Sequence, residues 1–194
     1  MLAESHGEEA GLIREYRVDD FDTVTRLWRL AREIAMPEFQ REKGHTFEED
    51  CVYFRDVILQ NDDVWVAEVD GRAAGFIAMA GDFVDQLYIH PDFQRRGLGK
   101  EFLDFAKERS PEHVWLFTLQ VNTNGRAFYE KNGFVAEKFG VSPAPESEPD
   151  VEYHWRGGVV EIFGRTSAGT EFRAGQNREP PYPGGHPPIC KVRK

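Results

Sequence analysis

The sequence predicts a mixed α/β domain, and three observations carry that reading. At 194 residues the chain suits one domain with a real core. Its periodicities run strand, two helices, several strands, helix, strand, helix, strands. That order lacks the regular strand–helix alternation of a doubly wound sheet.

Leu12 to Tyr16 reads as a short opening strand. Asp19, Asp20 and Asp22 then offer N-cap residues for a helix whose apolar face is Val24, Leu27, Trp28, Ala31 and Ile34. Pro37 ends or bends it. A second helix starts at Thr46, which stands at capping-box spacing from Glu49, and Phe47, Cys51, Phe54 and Ile58 continue its stripe. From Val64 the pattern turns to strands, with Asp70-Gly71 as a hairpin turn between two apolar stretches. Val84 to His90 is a further strand. A helix over about Leu98 to Arg109 and a buried strand over Val114 to Val121 follow. Asn124 to Lys131 forms a short helix closed by Asn132-Gly133, and Phe134 to Val141 returns as strand. After a loop from Ser142 to Asp150, Val151 to Trp155 supplies another strand and Val159 to Phe163 a candidate one. Residues 1–10 are expected to be flexible, 11–163 to form the domain, and 164–194 a Gly/Pro-rich, poorly ordered tail.

Composition narrows the function classes. A formal net charge of −10 argues against nucleic acid, which needs a basic stripe, and suits a cationic substrate as well as plain solubility. No apolar run approaches the ~20 residues that span a bilayer, and Met1 to Glu9 lacks a signal-peptide pattern. A cytoplasmic protein without a membrane partner is expected. Cys51 and Cys190 lie far apart, with no CxxC or Cys/His spacing, so neither a disulfide framework nor a metal site is expected. The six histidines are scattered, without pairs at helical spacing.

The informative stretch is Val84 to Gly99 (VDQLYIHPDFQRRGLG), a strand feeding a glycine-containing loop and then a helix. Such a helix start offers unpaired N–H groups and the positive dipole end, a match for a pyrophosphate. Gly97 and Gly99 free the backbone to come close and to adopt dihedrals a side chain forbids, and Arg95 and Arg96 add positive charge. A glycine pair alone is equally compatible with helix packing. The spacing fits neither a dinucleotide fingerprint, since Phe102 stands where glycine or alanine belongs, nor a P-loop.

A second motif, Asn122 to Phe134 (NTNGRAFYEKNGF), follows one helix and one strand later. Taken alone, its Tyr129 reads as core packing with a bonded hydroxyl. Together the two motifs closely resemble the GNAT superfamily of acyl-CoA-dependent N-acetyltransferases. Gln94, Gly97 and Gly99 meet its Q/R-x-x-G-x-G/A signature, and Asn122 with Phe128 to Phe134 meets its second. The resemblance spans roughly Leu12 to Trp155 and is specific between Val84 and Phe134.

It implies a GNAT-like central mixed, mostly antiparallel sheet flanked by helices, with a V-shaped splay between the fourth and fifth strands. It also implies acetyl-CoA as cosubstrate, with the pantetheine arm along Leu87, Tyr88 and Ile89. The pyrophosphate would rest on backbone N–H groups of Arg95, Arg96, Gly97, Leu98, Gly99 and Lys100, beside Gln94, and Asn122 would touch the arm. The implied reaction is direct attack of a primary amine of a small molecule or peptide on the thioester. Tyr129 matches the position of the acid that protonates the leaving sulfur. Asp85 is a candidate base, placed by alternation on the face of Leu87 and Ile89, or else a strand-end hydrogen-bonding group; Glu68 is another. A non-catalytic acyl-CoA sensor and a protein N-terminal or lysine acetyltransferase are the alternatives, and the chain is expected to be a monomer or homodimer.

Overall fold

The computed structural model describes residues 11–143 and 147–158. The expectations for residues 1–10, 159–163 and 164–194 lie outside them.

The described residues build one seven-stranded sheet. Strand β1 (Leu12–Glu15) is followed by helices α1 (Phe21–Ala35), α2 (Pro37–Lys43) and α3 (Phe47–Tyr53). A π-helical segment, Phe54–Ile58, and the single turn α4 (Leu59–Asn61) extend α3. Strands β2 (Asp63–Val69), β3 (Arg72–Ala80) and β4 (Phe83–Ile89) come next, then α5 (Leu98–Arg109), β5 (His113–Leu119), α6 (Thr123–Lys131), β6 (Val135–Val141) and β7 (Pro149–Arg156). The spatial order is β1-β2-β3-β4-β5-β7-β6, antiparallel throughout except for β4 beside β5.

Local chemistry explains the boundaries. Pro37 opens α2 directly after α1 ends at Ala35. Thr46 Oγ1 accepts from Glu49 N at 3.2 Å while Glu49 Oε2 accepts from Thr46 N at 2.8 Å, closing the expected capping box. Asp70 and Gly71 both take positive φ, 51° and 70°, as a two-residue hairpin turn requires. One expectation at the start of α1 is corrected. Asp20 makes no capping bond into that helix. Its carboxylate instead accepts from Arg17 N at 2.7 Å and is gripped by both terminal nitrogens of Arg14 at 2.8 Å, tying β1 to the entry turn.

The sheet separates two apolar clusters. On one face α5 lays Leu98, Phe102, Leu103 and Ala106 against Ile77, Val84, Val114, Leu116, Val151 and Tyr153. On the other, Val24, Leu27 and Trp28 of α1 meet Tyr53, Phe54 and Ile58 over Val66, Phe76 and Ala78. The wide π turn sets Phe54 and Ile58 into this core at 0% exposure. Phe54 touches four rings, those of Tyr16, Phe21, Trp28 and Phe76, at 5.6–6.0 Å. Beside them the buried Asp50 pairs with Arg29 and Arg32, clamping α3 to α1.

Candidate active site

The cleft begins where β4 and β5 part. These strands pair only at Phe83↔Trp115 and Val84↔Leu116, so β4 runs free of β5 from Asp85 to Ile89. This is the expected splay. His90 N donates to Ala74 O at 2.8 Å, which fixes the phase of the β3–β4 ladder. By alternation Tyr88 turns its amide and carbonyl toward Phe76 of β3, whereas Leu87 and Ile89 turn theirs toward the gap. Of the three strand residues expected to meet the pantetheine arm, the geometry therefore favours Leu87 and Ile89 and turns Tyr88 away. The Tyr88 ring stacks on Phe76 at 5.9 Å in the α1-side core.

Asp85 lies where the strand alternation is interrupted. Met79 pairs with Val84 and Ala78 with Gln86, so Asp85 is the extra residue of a β-bulge. Val84 and Leu87, three residues apart, consequently share the α5 face, and alternation counted through Asp85 does not hold. Its Oδ2 accepts from Gln86 Nε2 at 3.0 Å, at the point where the strands part. Glu68 lies on β2, two strands from the gap, paired with Arg14 at 2.8 Å.

The loop after β4 is held by its own side chains. His90 Nδ1 accepts from Asp92 N at 3.2 Å over a single 3-10 turn, and Gln94 Nε2 donates back to Ile89 O at 3.2 Å. Arg95 sits at φ 62° and Gly97 at φ 94°, the N-cap of α5. A left-handed arginine costs about 1–2 kcal/mol, a strain tolerated where backbone must be aimed. The first bond from the helix body, Glu101 N to Gly97 O at 3.1 Å, leaves the N–H groups of Leu98, Gly99 and Lys100 without helical acceptors. Arg95 and Arg96 are exposed, and Lys100 pairs with Asp104 one turn on.

The two glycines divide their work. Gly97 supplies the dihedral, whereas Gly99 supplies space: a Cβ there would stand 3.0 Å from Phe128 Cζ of α6. The two sequence motifs therefore touch through Gly99 and Phe128.

At the head of α6, Asn122 Oδ1 accepts from Gly125 N at 3.0 Å and its Nδ2 donates to Thr118 Oγ1 at 3.1 Å. The asparagine thus has a local task, capping α6 and tying it to β5. Tyr129 packs beside Phe128, Phe134 and Tyr153 at 5.4–6.0 Å between ring centres. Its hydroxyl makes no hydrogen bond to a described residue, against the expectation of a bonded core tyrosine. Desolvation, followed by the nearby Tyr88, pushes its pKa well above the usual phenol value, so the hydroxyl keeps its proton at neutral pH. By contrast the Tyr153 hydroxyl donates to Glu130 Oε1 at 2.6 Å and accepts from Arg126 Nε at 3.3 Å.

Sequence reasoning missed a row of titratable groups on the opposite face of β5 and β7. Asp82 Oδ2 meets His113 Nδ1 at 3.0 Å, His113 Nε2 meets His154 Nδ1 at 2.9 Å, and His154 Nε2 meets Glu152 Oε1 at 2.8 Å. No helical spacing links His113 to His154, because the β5–β7 register brings them together.

Among the described residues, a mixed sheet opens beside its parallel pair, with a glycine-hinged helix start at the mouth of the gap. The acetyltransferase (GNAT) domain model matches residues 60–136, from β2 through α6. Peptidyl-lysine N-acetyltransferase YiaC of Escherichia coli is 30% identical over 125 residues, covering 63% of this chain and 82% of that protein. Among solved structures, apo YjaB of Escherichia coli superposes with a TM-score of 0.65 at 22% identity, over 76% of this chain and 98% of that one. The PaiA N-acetyltransferase of Thermoplasma acidophilum, solved with coenzyme A, gives 0.52 at 19% identity over 75% and 98%. The chain belongs to the GNAT family and is an acetyltransferase.

Proposed function

We propose that this protein transfers the acetyl group of acetyl-CoA to a primary amine by direct attack on the thioester. The observation that carries the reading is the Tyr129 hydroxyl, protonated and without a hydrogen-bonding partner among the described residues, on the helix whose Phe128 packs against the glycine-hinged α5 start. In this reading Leu87 and Ile89 hold the pantetheine amides through their backbone. The N–H groups from Arg95 to Lys100 take the pyrophosphate, with Gln94 bracing the loop. Asn122 contributes mainly by shaping the turn beside the arm. A strand N–H at Ile89 faces the oxyanion as the tetrahedral intermediate forms. Tyr129 then gives its proton to the departing sulfur, which leaves readily because a thiol pKa is only about 8.5.

The acceptor needs a base, since an alkylamine of pKa ~10.4 is neutral in only about one molecule in a few thousand at pH 7. Asp85 is a carboxylate on the gap-facing strand itself, at the parting of β4 and β5. The likeness to a peptidyl-lysine acetyltransferase favours a lysine side chain in a peptide as the acceptor. A small-molecule amine is the second reading, supported by the aromatic and acidic residues between Ile34 and Asp50.

The test is thiol release from acetyl-CoA across a panel of lysine peptides, N-terminal peptides and small amines. Turnover with one class assigns the acceptor. Tight cofactor binding with no turnover on any amine overturns the enzyme reading in favour of a sensor. Gly97→Glu, which strains φ 94° and adds negative charge at the helix start, is expected to weaken acetyl-CoA binding about 100-fold by calorimetry.

A further inference from the structure

The row of groups on β5 and β7 has the form of a proton path, and its position relative to the cleft gives it a use. Strands β4 and β5 last pair at Val84↔Leu116. The next residue of β5, Phe117, stands directly across from Glu152 of β7. Glu152 therefore lies level with the first unpaired position of β5, one strand away from the gap, on the face that carries Phe117 and Trp115. Its side chain is 16% exposed. From there the hydrogen bonds run through His154 and His113 to Asp82, in the turn between β3 and β4 at the closed end of the sheet. Trp115 braces the row: its ring is parallel to that of His154 at 6.1 Å, and its Nε1 donates to Asp82 Oδ1 at 3.3 Å.

Counting hydrogens shows what the row can do. Its three junctions need three hydrogens, whereas two neutral imidazoles bring only two. With Asp82 and Glu152 ionised and both rings neutral as Nδ1–H tautomers, the one junction without a hydrogen lies at Glu152, so His154 Nε2 can receive a proton there. The surrounding charges are Glu137, whose Oε2 lies 3.8 Å from His154 Nε2, Lys138 at 3.8 Å from Glu152, and Arg156, which pairs with Glu137. Asp85 stands across the parting on β4.

We propose that Glu152 is the base that accepts the acceptor's proton, and that His154, His113 and Asp82 conduct it to solvent. This rests on the acetyl transfer proposed above. An ammonium acceptor carries three N–H hydrogens and the amide product one. One of the two lost hydrogens replaces the proton that Tyr129 gives to the sulfur. The other leaves as H⁺. Glu152 Oε1 takes that second proton and passes it to His154 Nε2. The Nδ1 hydrogen of His154 moves to His113 Nε2, and the Nδ1 hydrogen of His113 moves to Asp82 and on to water. No bond other than these N–H and O–H bonds is made or broken along the row. Asp85 has the Gln86 amide as its hydrogen-bond donor, whereas Glu152 is joined to an exit.

The experiment uses the full chain, acetyl-CoA and an end-blocked tripeptide with a central lysine as acceptor. Glu152→Gln is expected to lower kcat about 50-fold at pH 7 with acetyl-CoA affinity unchanged. Its rate should then climb nearly tenfold per pH unit toward pH 9, tracking the free amine, where the wild type rises more gently. Glu152→Asp should recover part of the loss. His154→Asn should move the pH profile in the same direction; a loss of thermal stability with an unmoved profile would make the row a structural clamp and overturn the proposal. So would a wild-type profile in Glu152→Gln, or the whole effect appearing in Asp85→Asn instead. If the wild type itself releases no thiol with the peptide or the wider amine panel, the transfer reading falls, and the relay with it.

Discussion

The two halves of the sheet are built to different standards. Strands β2 to β4 are covered on both faces, by α5 on one side and by α1, α3 and the π segment on the other. Strands β5 and β7 are covered by α5 and α6 on one face and β6 is largely exposed, while the other face carries His113, His154, Glu152 and a small cluster of Phe83, Trp115 and the partly exposed Phe117. The doubly covered half is a stability module. The singly covered half gives up apolar burial and gains a polar face beside the cleft. Chemistry belongs at the seam, because there one parallel pair is abandoned after two residue pairs and backbone amides are left to face a ligand.

If that division is right, Phe54→Ala gives the largest loss of stability. Emptying the space between four rings should cost about 3–5 kcal/mol in urea unfolding, with acetyl-CoA affinity of the folded fraction unchanged. A comparable loss of affinity would mean that the halves are coupled and would break the comparison. Tyr129→Phe should do the reverse: stability nearly unchanged, kcat for thiol release down about 100-fold, cofactor affinity within about threefold. An unchanged rate removes Tyr129 from the mechanism.

Gly99→Ala probes the seam between the motifs. Its methyl would press on the Phe128 ring at 3.0 Å, so α6 must shift, at about 1–2 kcal/mol of stability with a modest loss of turnover. Methyl-group NMR of the α5–α6 contact would register the displacement. The smallest effect is expected at the entry to the covered half. Arg14 holds the Asp20 carboxyl below its usual pKa of 3.8, so the folded state favours the ionised form. That stability is present above the unfolded value and is lost as pH falls through the depressed folded one. Asp20→Asn should therefore be about 1 kcal/mol less stable than wild type at pH 7, with the gap closing below pH 4. A gap constant from pH 7 to pH 2 would remove the ion pair as its cause.

Much of this division was legible in local pattern. The Thr46–Glu49 box, the Asp70-Gly71 turn and the α5 span depend on residues within a few positions of one another, and each stands where expected. Asp20 misled because a local capping rule competed with a distant guanidinium, and the ion pair won. The placement of Asp85 rested on alternation along an unbroken ladder, and one extra residue opposite Ala78 and Met79 interrupts that count. Among the described residues no helix is long and apolar enough to cross a membrane.

What the sequence settled alone was the order of the strands and of the main helices (though not α2 or the π segment), the glycine-hinged helix start and the family, since each rests on short-range periodicity or on contiguous motifs. What only the folded chain decided was which groups meet: Gly99 with Phe128, Asp50 with Arg29 and Arg32, His113 with His154. Those meetings follow from strand register and from the angle between α5 and α6, which sum many weak contacts over the whole core and are written in no single stretch of the chain.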